Sequence, residues 1–402
     1  MNVHATTGPI DIDAPLALLG GMSPRRFMRT HWQKRPLLVR AAFDAPPPVT
    51  RAQLFALAAR DDVESRLVVQ GARGAWSLRR GPLPRRALPP LAQRGWTLLV
   101  QGLDLHVAAA HELLARFRFV PDARLDDLMV SYATDGGGVG PHFDSYDVFL
   151  LQVHGVRRWR VGRLADPALR DDVPLKILSH FVPEQQWRLA PGDLLYLPPR
   201  WAHDGIAEGE CMTCSVGFRA PGRGELAREL TARMADQVEE AGPLYRDPSQ
   251  AAVGNPARLP EALAAFAAEA VRRLADDRGA RARALGEYLS EPKPNVWFDG
   301  GAAVPPGCGV TLDARTRMLY DDRHLFVNGE AYRAAGRDAR LMRSLADARR
   351  LDARGVAALG GDARALLDRW AEAGWLHAAC DSGHDAGCEP LDARGHDERG
   401  TR

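Results

Sequence analysis

Residues 136–162 read GGGVGPHFDSYDVFLLQVHGVRRWRVG, and this stretch directs the interpretation of the whole chain. Near its start, His142 and Asp144 stand two residues apart. If this part is a strand, both side chains leave the same face, so one metal ion can accept both. His-x-Asp alone is a weak signal. The glycine-rich residues before His142 strengthen it, because they let the backbone fold tightly beside a site.

A third metal ligand is expected from a neighbouring strand, and His203 is the candidate. It follows the residues PPRWA and a predicted strand that starts at Pro191-Gly192-Asp193. Two histidines and one carboxylate on one face of an octahedron leave three positions open. This suits Fe(II) that binds a bidentate keto acid and then dioxygen, whereas a tetrahedral structural zinc site leaves no such room.

A keto-dicarboxylate site also needs a cation for the distal carboxylate, because a buried charge without a partner is costly. Arginine can hold a carboxylate with two parallel hydrogen bonds. Residues 155–162 (GVRRWRVG) offer three arginines, of which Arg157 shares a face with Trp159 by strand alternation. An exposed, solvated basic strand is the other interpretation, and the pattern leaves both open.

The pattern of apolar residues divides the chain. From Trp96 to Gly217, short apolar runs separated by Gly, Pro and Asp predict an antiparallel barrel or sandwich. After Pro221 the period becomes helical, with Leu226, Leu230, Met234 and Val238 on one stripe and alanine-rich segments up to Leu289. Residues 290–309 are dense in Pro and Gly and read as a linker. Beyond them we predict a strand ending in an Asn328-Gly329 turn and two amphipathic helices.

Composition limits the classes of function. The 402 residues are 46% hydrophobic and 26% charged, and the formal net charge is only +2, so no overall drive toward nucleic acid or membrane is visible. The N-terminus shows no basic segment followed by an apolar run, and we expect neither export nor a membrane span. Five thinly spread cysteines do not resemble a disulfide framework, which fits a reducing cytoplasm.

Two cysteine-containing patterns carry less weight. Cys211 and Cys214 form a lone CxxC on a predicted strand, where residues three apart point to opposite faces, so neither zinc binding nor redox activity is expected. Four C-terminal residues have spacings that zinc sites also show, but a small polar tail is the favoured interpretation; they are His377, Cys380, His384 and Cys388.

These blocks together resemble a known family, the bacterial JmjC-domain, cupin-fold ribosomal oxygenases, and in particular those that hydroxylate an arginine of a large-subunit ribosomal protein. The similarity runs from residues 31–36 (HWQKRP) to about Trp375. Residues 136–162 carry most of it, followed by 195–199 (LYLPP) and 215–221 (SVGFRAP). His154 departs from the pattern, since a small residue is more usual in that turn.

The resemblance implies specific roles in an Fe(II)- and 2-oxoglutarate-dependent hydroxylase that consumes dioxygen. It implies that His142, Asp144 and His203 bind iron, and that Ser131 and Arg157 contact 2-oxoglutarate. The hydroxylated atom would be Cβ of an arginine on a large-subunit ribosomal protein. A cationic substrate should meet acidic or aromatic residues at the mouth of the site; the candidates are Asp135, Tyr146 and Asp147, for which loop polarity and packing are the competing explanation.

The resemblance also implies the fold class and partners. We expect a mainly β JmjC/cupin catalytic domain, a double-stranded β-helix with an N-terminal extension, over residues 1–221. A helical dimerisation region should follow at 222–298 and a small winged-helix-like α+β domain at 299–379. The polar composition of residues 380–402, which have no counterpart in the family, predicts a disordered tail. The protein is expected to be a cytoplasmic homodimer without a membrane partner or direct nucleic-acid binding.

Two alternatives remain open at this point. A JmjC histidyl hydroxylase or lysyl demethylase would share the barrel and the iron site and differ only in the substrate groove. A catalytically silent cupin would instead serve as a binding module on the ribosome. The complete ligand set with its arginine argues against this second alternative.

Overall fold

The computed structural model describes residues 10–380 except residues 45, 239–241 and 334. The chain divides into two units. The first contains the chain up to Trp297 together with Ala314–Ala335, and the second contains Phe298–Asp313 together with the chain from Gly336 onward. All of the predicted site residues belong to the first unit.

The strands are numbered in chain order. They are β1 (Leu37–Val39), β2 (Ser65–Gln70), β3 (Trp76–Arg80), β4 (Trp96–Val100), β5 (Leu125–Ala133), β6 (Val148–Arg163), β7 (Gln185–Leu189), β8 (Leu194–Leu197), β9 (Trp201–Phe218), β10 (Gly309–Leu312), β11 (Met318–Tyr320), β12 (His324–Val327), β13 (Glu330–Arg333), β14 (Arg350–Leu351) and β15 (Leu376–Ala379).

The α-helices are numbered in the same way. They are α1 (Pro24–Thr30), α2 (Arg51–Ala58), α3 (Ala108–Ala115), α4 (Arg223–Asp236), α5 (Glu261–Asp276), α6 (Arg278–Ser290), α7 (Gly336–Ala348), α8 (Ala353–Ala357) and α9 (Gly361–Glu372). Helix α1 begins at a Ser-Pro cap, with the Ser23 hydroxyl accepting from the amide of Arg26 and Pro24 in the first turn.

One antiparallel sheet dominates the first unit. Within the described residues it contains nine strands, in the order β1-β8-β6-β9-β5-β4-β2-β3, with β7 paired to β6. Strand β6 pairs with β9 along most of its length, with β8 through residues 148–151 and with β7 through residues 157–161. The predicted run of short antiparallel strands is confirmed, and the two longest of them, β6 and β9, lie side by side.

The apolar side chains of this sheet pack into separate clusters. The largest cluster contains an aromatic group in which the Tyr196 ring lies 5.0 Å from Phe27 and 4.9 Å from Phe149, measured between centroids. A second cluster contains Trp159 and Val161 of β6. Because β6 contributes to both clusters, each of its faces is buried in part, which accounts for the unbroken apolar run of residues 148–151.

The hairpin of β12 and β13 groups with the first unit. Asn328 and Gly329 both have positive φ (50° and 92°), so the predicted Asn-Gly turn is confirmed. The backbone amide of Gly329 donates to the Ser290 hydroxyl at the end of α6, and the Phe326 ring packs against Gly286. The division by contacts thus differs from the predicted boundaries, which assigned these strands to the C-terminal domain.

The second unit is a small α+β structure. Strands β14, β10 and β15 form an antiparallel sheet in that order, and α7, α8 and α9 belong to the same unit. Helix α7 buries Met342 and Leu345, and α9 buries Leu367 and Trp370. The two amphipathic helices predicted for this region are therefore confirmed.

The expectation that all cysteines are reduced is wrong for two of them. Cys308 and Cys380 form a disulfide across 72 residues of chain. Sequence spacing gave no signal for this pair, because β10 and β15 bring the two residues together only in the folded sheet. His377 pairs with Asp313, so it and Cys380 already have partners; His384 and Cys388 lie outside the described residues.

No helix among residues 10–380, apart from the gaps given above, combines the length and the apolar character needed to cross a bilayer.

Candidate functional site

Three side chains converge at the start of β9. Ligand atoms of His142, Asp144 and His203 all lie within 4.8 Å of one another. The Asp144 carboxylate is 3.6 Å from Nε2 of His203, and the two imidazole centroids are 4.3 Å apart. Two distant segments of sequence thus bring two nitrogens and one carboxylate together, as predicted.

The backbone at this site is not a regular strand. His142 forms an isolated bridge with His203, with N···O distances of 3.0 and 2.8 Å, but residues 143–147 have no strand partner of this kind. The strand on which the same-face argument depended is therefore absent. Instead, the amide of Arg200 donates to the carbonyl of Asp144 (2.8 Å) and holds that residue beside β9.

Each imidazole is oriented by a backbone carbonyl. Nδ1 of His142 lies 2.8 Å from the carbonyl oxygen of Gly140, and Nδ1 of His203 lies 2.9 Å from that of Trp201. When Nδ1 donates its proton in this way, Nε2 keeps a free lone pair for a metal. Burial, followed by repulsion from His142, lowers the pKa of His203 to about 4, so its ring is neutral at neutral pH.

Strands β6 and β9 join this trio to Arg157. Their register pairs Val161 with His203, Trp159 with Gly205 and Arg157 with Ala207. Directly opposed residues of an antiparallel pair project to the same face, so Arg157 and His203 share one side of the sheet. Four residues of β6 separate Arg157 from the position opposite His203, which is about 13 Å along the strand.

Arg157 is buried and only partly satisfied. Its side chain is 5% exposed, and Nη1 donates to the Ser131 hydroxyl at 3.0 Å. Among the residues that the structure describes, its Nε and Nη2 have no hydrogen-bond partner. A buried guanidinium without a carboxylate is costly, so a carboxylate-bearing ligand fits this position. The exposed basic strand that the sequence left open is excluded for Arg157.

The donor set fits the metal that the sequence predicted. Two histidines and one carboxylate are the ligand set typical of non-haem Fe(II) oxygenases, and the described residues provide no fourth ligand in this group. The same barrel face therefore offers a three-ligand metal site and, farther along, a cationic anchor. This combination fits a metal-chelating dicarboxylate.

The three residues predicted for the mouth differ in their surroundings. Asp147 is fully buried and accepts from the Tyr196 hydroxyl (2.7 Å) and the Gln33 amide (3.0 Å), so the structure does not support it as a substrate contact. Asp135 is partly exposed, paired with Arg94 at 2.8 Å. Tyr146 is 39% exposed, and burial of its hydroxyl, then the charge of Asp144, raises its pKa.

Sequence reasoning missed the close packing at Gly205, but it correctly predicted that Cys211 and Cys214 lie on opposite faces of one strand. A glycine within a predicted strand, a usual sign of close packing, is the signal that could have revealed Gly205. The two cysteines are buried, unpaired and in different apolar clusters, as their spacing on one strand predicts. Burial also raises the pKa of the Cys214 thiol, which makes it an inert core residue.

Comparison with known protein families gives two matches. The JmjC domain matches residues 112–226, which include all three metal-ligand candidates. The ROXA-like winged helix matches residues 273–377. A curated protein of Escherichia coli (strain K12), ribosomal protein uL16 3-hydroxylase, is 39% identical over 238 residues, which is 58% of this chain. The chain spans 61% of that relative's own length.

Solved structures match over a larger part. The X-ray structure of E. coli YcfD has a TM-score of 0.79 and 30% identity, covering 88% of this chain and 97% of that one. YcfD, described as a ribosomal oxygenase, in complex with cobalt and 2-oxoglutarate gives a TM-score of 0.73 at 30% identity and the same coverage. The expected mainly β JmjC/cupin domain, helical regions and C-terminal winged helix are thereby confirmed. The chain belongs to the JmjC-domain ribosomal oxygenase family.

Proposed function

We propose that this protein is an Fe(II)- and 2-oxoglutarate-dependent protein hydroxylase. The observation that carries the proposal is the shared face of β6 and β9, where the His142, Asp144 and His203 trio stands in line with a buried arginine whose Nε and Nη2 lack partners among the described residues. The relative solved with cobalt and 2-oxoglutarate supports the same assignment. A silent cupin would have no need for a buried, unpaired cation.

Each residue has a distinct task in this proposal. His142, Asp144 and His203 would hold the metal. Arg157 and Ser131 bind the distal carboxylate of 2-oxoglutarate and so fix the direction in which the molecule reaches the metal. Bound iron and 2-oxoglutarate, with dioxygen, would supply the oxidation of an unactivated C–H bond, with succinate and carbon dioxide as coproducts.

For the substrate we propose Cβ of an arginine on a large-subunit ribosomal protein. The E. coli relative is named a ribosomal protein uL16 3-hydroxylase, which supports this choice. Tyr146 and Asp135 remain our candidates for contact with the cationic side chain, since both are partly exposed. For Asp135 the Arg94 guanidinium would have to move aside or share the carboxylate.

We also propose a cytoplasmic homodimer. Helix α5 is amphipathic but buries none of its residues within the described chain; Leu263 is 38% exposed, Phe266 39% and Val271 67%. Such a helix needs a partner surface. Light scattering of the wild type should give twice the mass of one chain, and Phe266→Asp should lower it.

The function is tested by incubation of the iron-loaded protein with 2-oxoglutarate and isolated large-subunit ribosomal proteins. Succinate should form, and mass spectrometry should find one added oxygen on an arginine of one ribosomal protein. An added oxygen on histidine, or the loss of methyl groups from lysine, would overturn the arginine assignment while keeping the enzyme class. Absence of turnover with every substrate would overturn the enzyme assignment.

A further inference from the structure

The β6 residues that face the second apolar cluster, here called the inward face, change from even-numbered to odd-numbered positions along the strand. Before residue 152 the even-numbered Val148 and Leu150 belong to the second apolar cluster, and after residue 156 the odd-numbered Trp159 and Val161 do. The pairing with β9 is irregular between 152 and 154 and again between 154 and 156. An inserted residue in one strand has this effect, because side chains alternate with period two. Without the irregularity, Arg158 would occupy the inward face instead of Arg157.

Gln152 holds the irregular segment. Its side chain is fully buried, and its amide nitrogen donates to the carbonyls of His154 (2.8 Å) and Gly155 (3.1 Å). Those two carbonyls belong to the irregular residues themselves. Gly155 has φ of +61°, and a side chain there would meet the Glu210 carbonyl oxygen at 2.0 Å, so glycine is required.

A series of hydrogen bonds through β9 and β5 links the Gln152 side chain to Arg157. The Thr213 hydroxyl donates to Oε1 of Gln152 (2.8 Å), and the Thr213 carbonyl accepts from the Ser131 hydroxyl (3.4 Å). Ser131 in turn accepts from Arg157 (3.0 Å). Gln152 and Thr213 are fully buried, and Ser131 and Arg157 are 4% and 5% exposed. A buried hydrogen-bond network of this kind restricts the side chains in it to one arrangement.

We propose that Gln152 and Thr213 are positioning residues for the cosubstrate carboxylate. They act through Arg157 and Ser131: Gln152 maintains the parity change that turns Arg157 inward, and Thr213 connects the two ends of the hydrogen-bonded chain. This inference rests on the proposed function, since it assumes that Arg157 binds 2-oxoglutarate. It goes beyond that function in assigning two residues outside the metal-ligand trio and the pair of Arg157 and Ser131.

The test uses Gln152→Met and Thr213→Val, which keep side-chain size and remove the side-chain hydrogen bonds, while the Thr213 carbonyl still accepts from Ser131. Binding of 2-oxoglutarate is titrated calorimetrically with Mn(II) in place of iron, and Mn(II) binding is measured separately. We expect the Kd for 2-oxoglutarate to rise roughly 3- to 10-fold in each variant, with Mn(II) affinity unchanged. In turnover assays the KM for 2-oxoglutarate should rise more than kcat falls. Leu151→Val and Cys214→Ala are matched controls, because these neighbours face the other cluster.

A double-mutant cycle separates positioning from general destabilisation. In an Arg157→Ala background, each substitution should weaken 2-oxoglutarate binding less than it does in the wild type, because one of the two residues through which they act is gone. Additive losses would overturn the inference, as would variants that bind like the wild type. If Gln152→Met does not fold, Thr213→Val still decides. A wild type that does not bind 2-oxoglutarate would instead refute the proposed function.

Discussion

Trp159 and Gly205 face each other across β6 and β9, and the indole occupies the space that a side chain at position 205 would need. A Cβ atom built on Gly205 would lie 2.7 Å from Cη2 and Cζ3 of the Trp159 six-membered ring. The Trp159 and His203 ring centroids are 5.8 Å apart, and the Arg157 guanidinium carbon lies 5.8 Å from the centroid of Trp159. Trp159 is therefore packed between the metal-ligand trio and the buried arginine.

Gly205→Ala should disturb both sides of the site. The added methyl group forces the indole or the strand to move, at a cost of about 1–3 kcal/mol in the free energy of unfolding. Urea titration measures this loss, and calorimetry should show weaker binding of 2-oxoglutarate. Gly205→Ala combined with Trp159→Phe, whose smaller ring leaves room for the methyl group, should recover stability. An additive double mutant would contradict the packing explanation.

His142→Ala should remove metal binding. Loss of one of three ligands lowers affinity for Co(II) or Fe(II) by more than about 100-fold, since even residues that only orient the ligands contribute about 10- to 100-fold. Titration with Co(II), followed by visible absorption, provides the measurement. His180→Ala is the control, because the His180 side chain is 80% exposed and outside the trio. Retained Co(II) affinity in His142→Ala would contradict the assigned ligand set.

Arg157→Ala should chiefly raise the requirement for 2-oxoglutarate. Hydrogen bonds to charged groups contribute about 1.5–3 kcal/mol, which corresponds to a KM about 10- to 100-fold higher. Arg157→Lys keeps the charge but loses the two-pronged geometry and should lie between Ala and the wild type. The measurement is succinate formation against 2-oxoglutarate concentration. A normal KM in Arg157→Ala would overturn the role given to this arginine.

Asp104 should make stability depend on pH in an unusual direction. Burial, followed by the negative charge of Asp127, raises the pKa of Asp104 from 3.8 to about 6. Because the folded protein then binds the proton more tightly than the unfolded chain, this group favours folding most at low pH. Its contribution declines as the pH rises from about 4 to 6 and stays low above that range.

Asp104→Asn should remove this effect while its amide oxygen still accepts from the backbone amide of Leu128, as Asp104 does at 2.8 Å. As the pH rises from 5 to 7, the free energy of unfolding of the variant should increase by about 1 kcal/mol relative to that of the wild type. Chemical denaturation at several pH values measures the difference. Asp172→Asn is the control, because Arg170 lowers the pKa of that carboxyl and its effect has the opposite sign. An equal pH profile for Asp104→Asn and wild type would refute the prediction.

Local patterns in the chain were sufficient to identify much of this protein. The short apolar runs predicted an antiparallel sheet because strand burial has a period of two. The Asn328-Gly329 pair predicted a hairpin because both residues tolerate positive φ. His142, Asp144 and His203 could be chosen because few residue types bind Fe(II), and motifs keep those types at a characteristic spacing.

Other properties were decided only when distant segments met. The irregular pairing of β6 with β9 turned Arg157 inward, and no period in the sequence reveals an inserted residue in one strand. Asp147 and Tyr146 are adjacent and both polar, yet Tyr196 and Gln33 enclose the first while the second stays partly exposed. Cys308 and Cys380 met through β10 and β15. Burial and pairing depend on which strands become neighbours, and that choice comes from the packing of the whole unit rather than from any one segment.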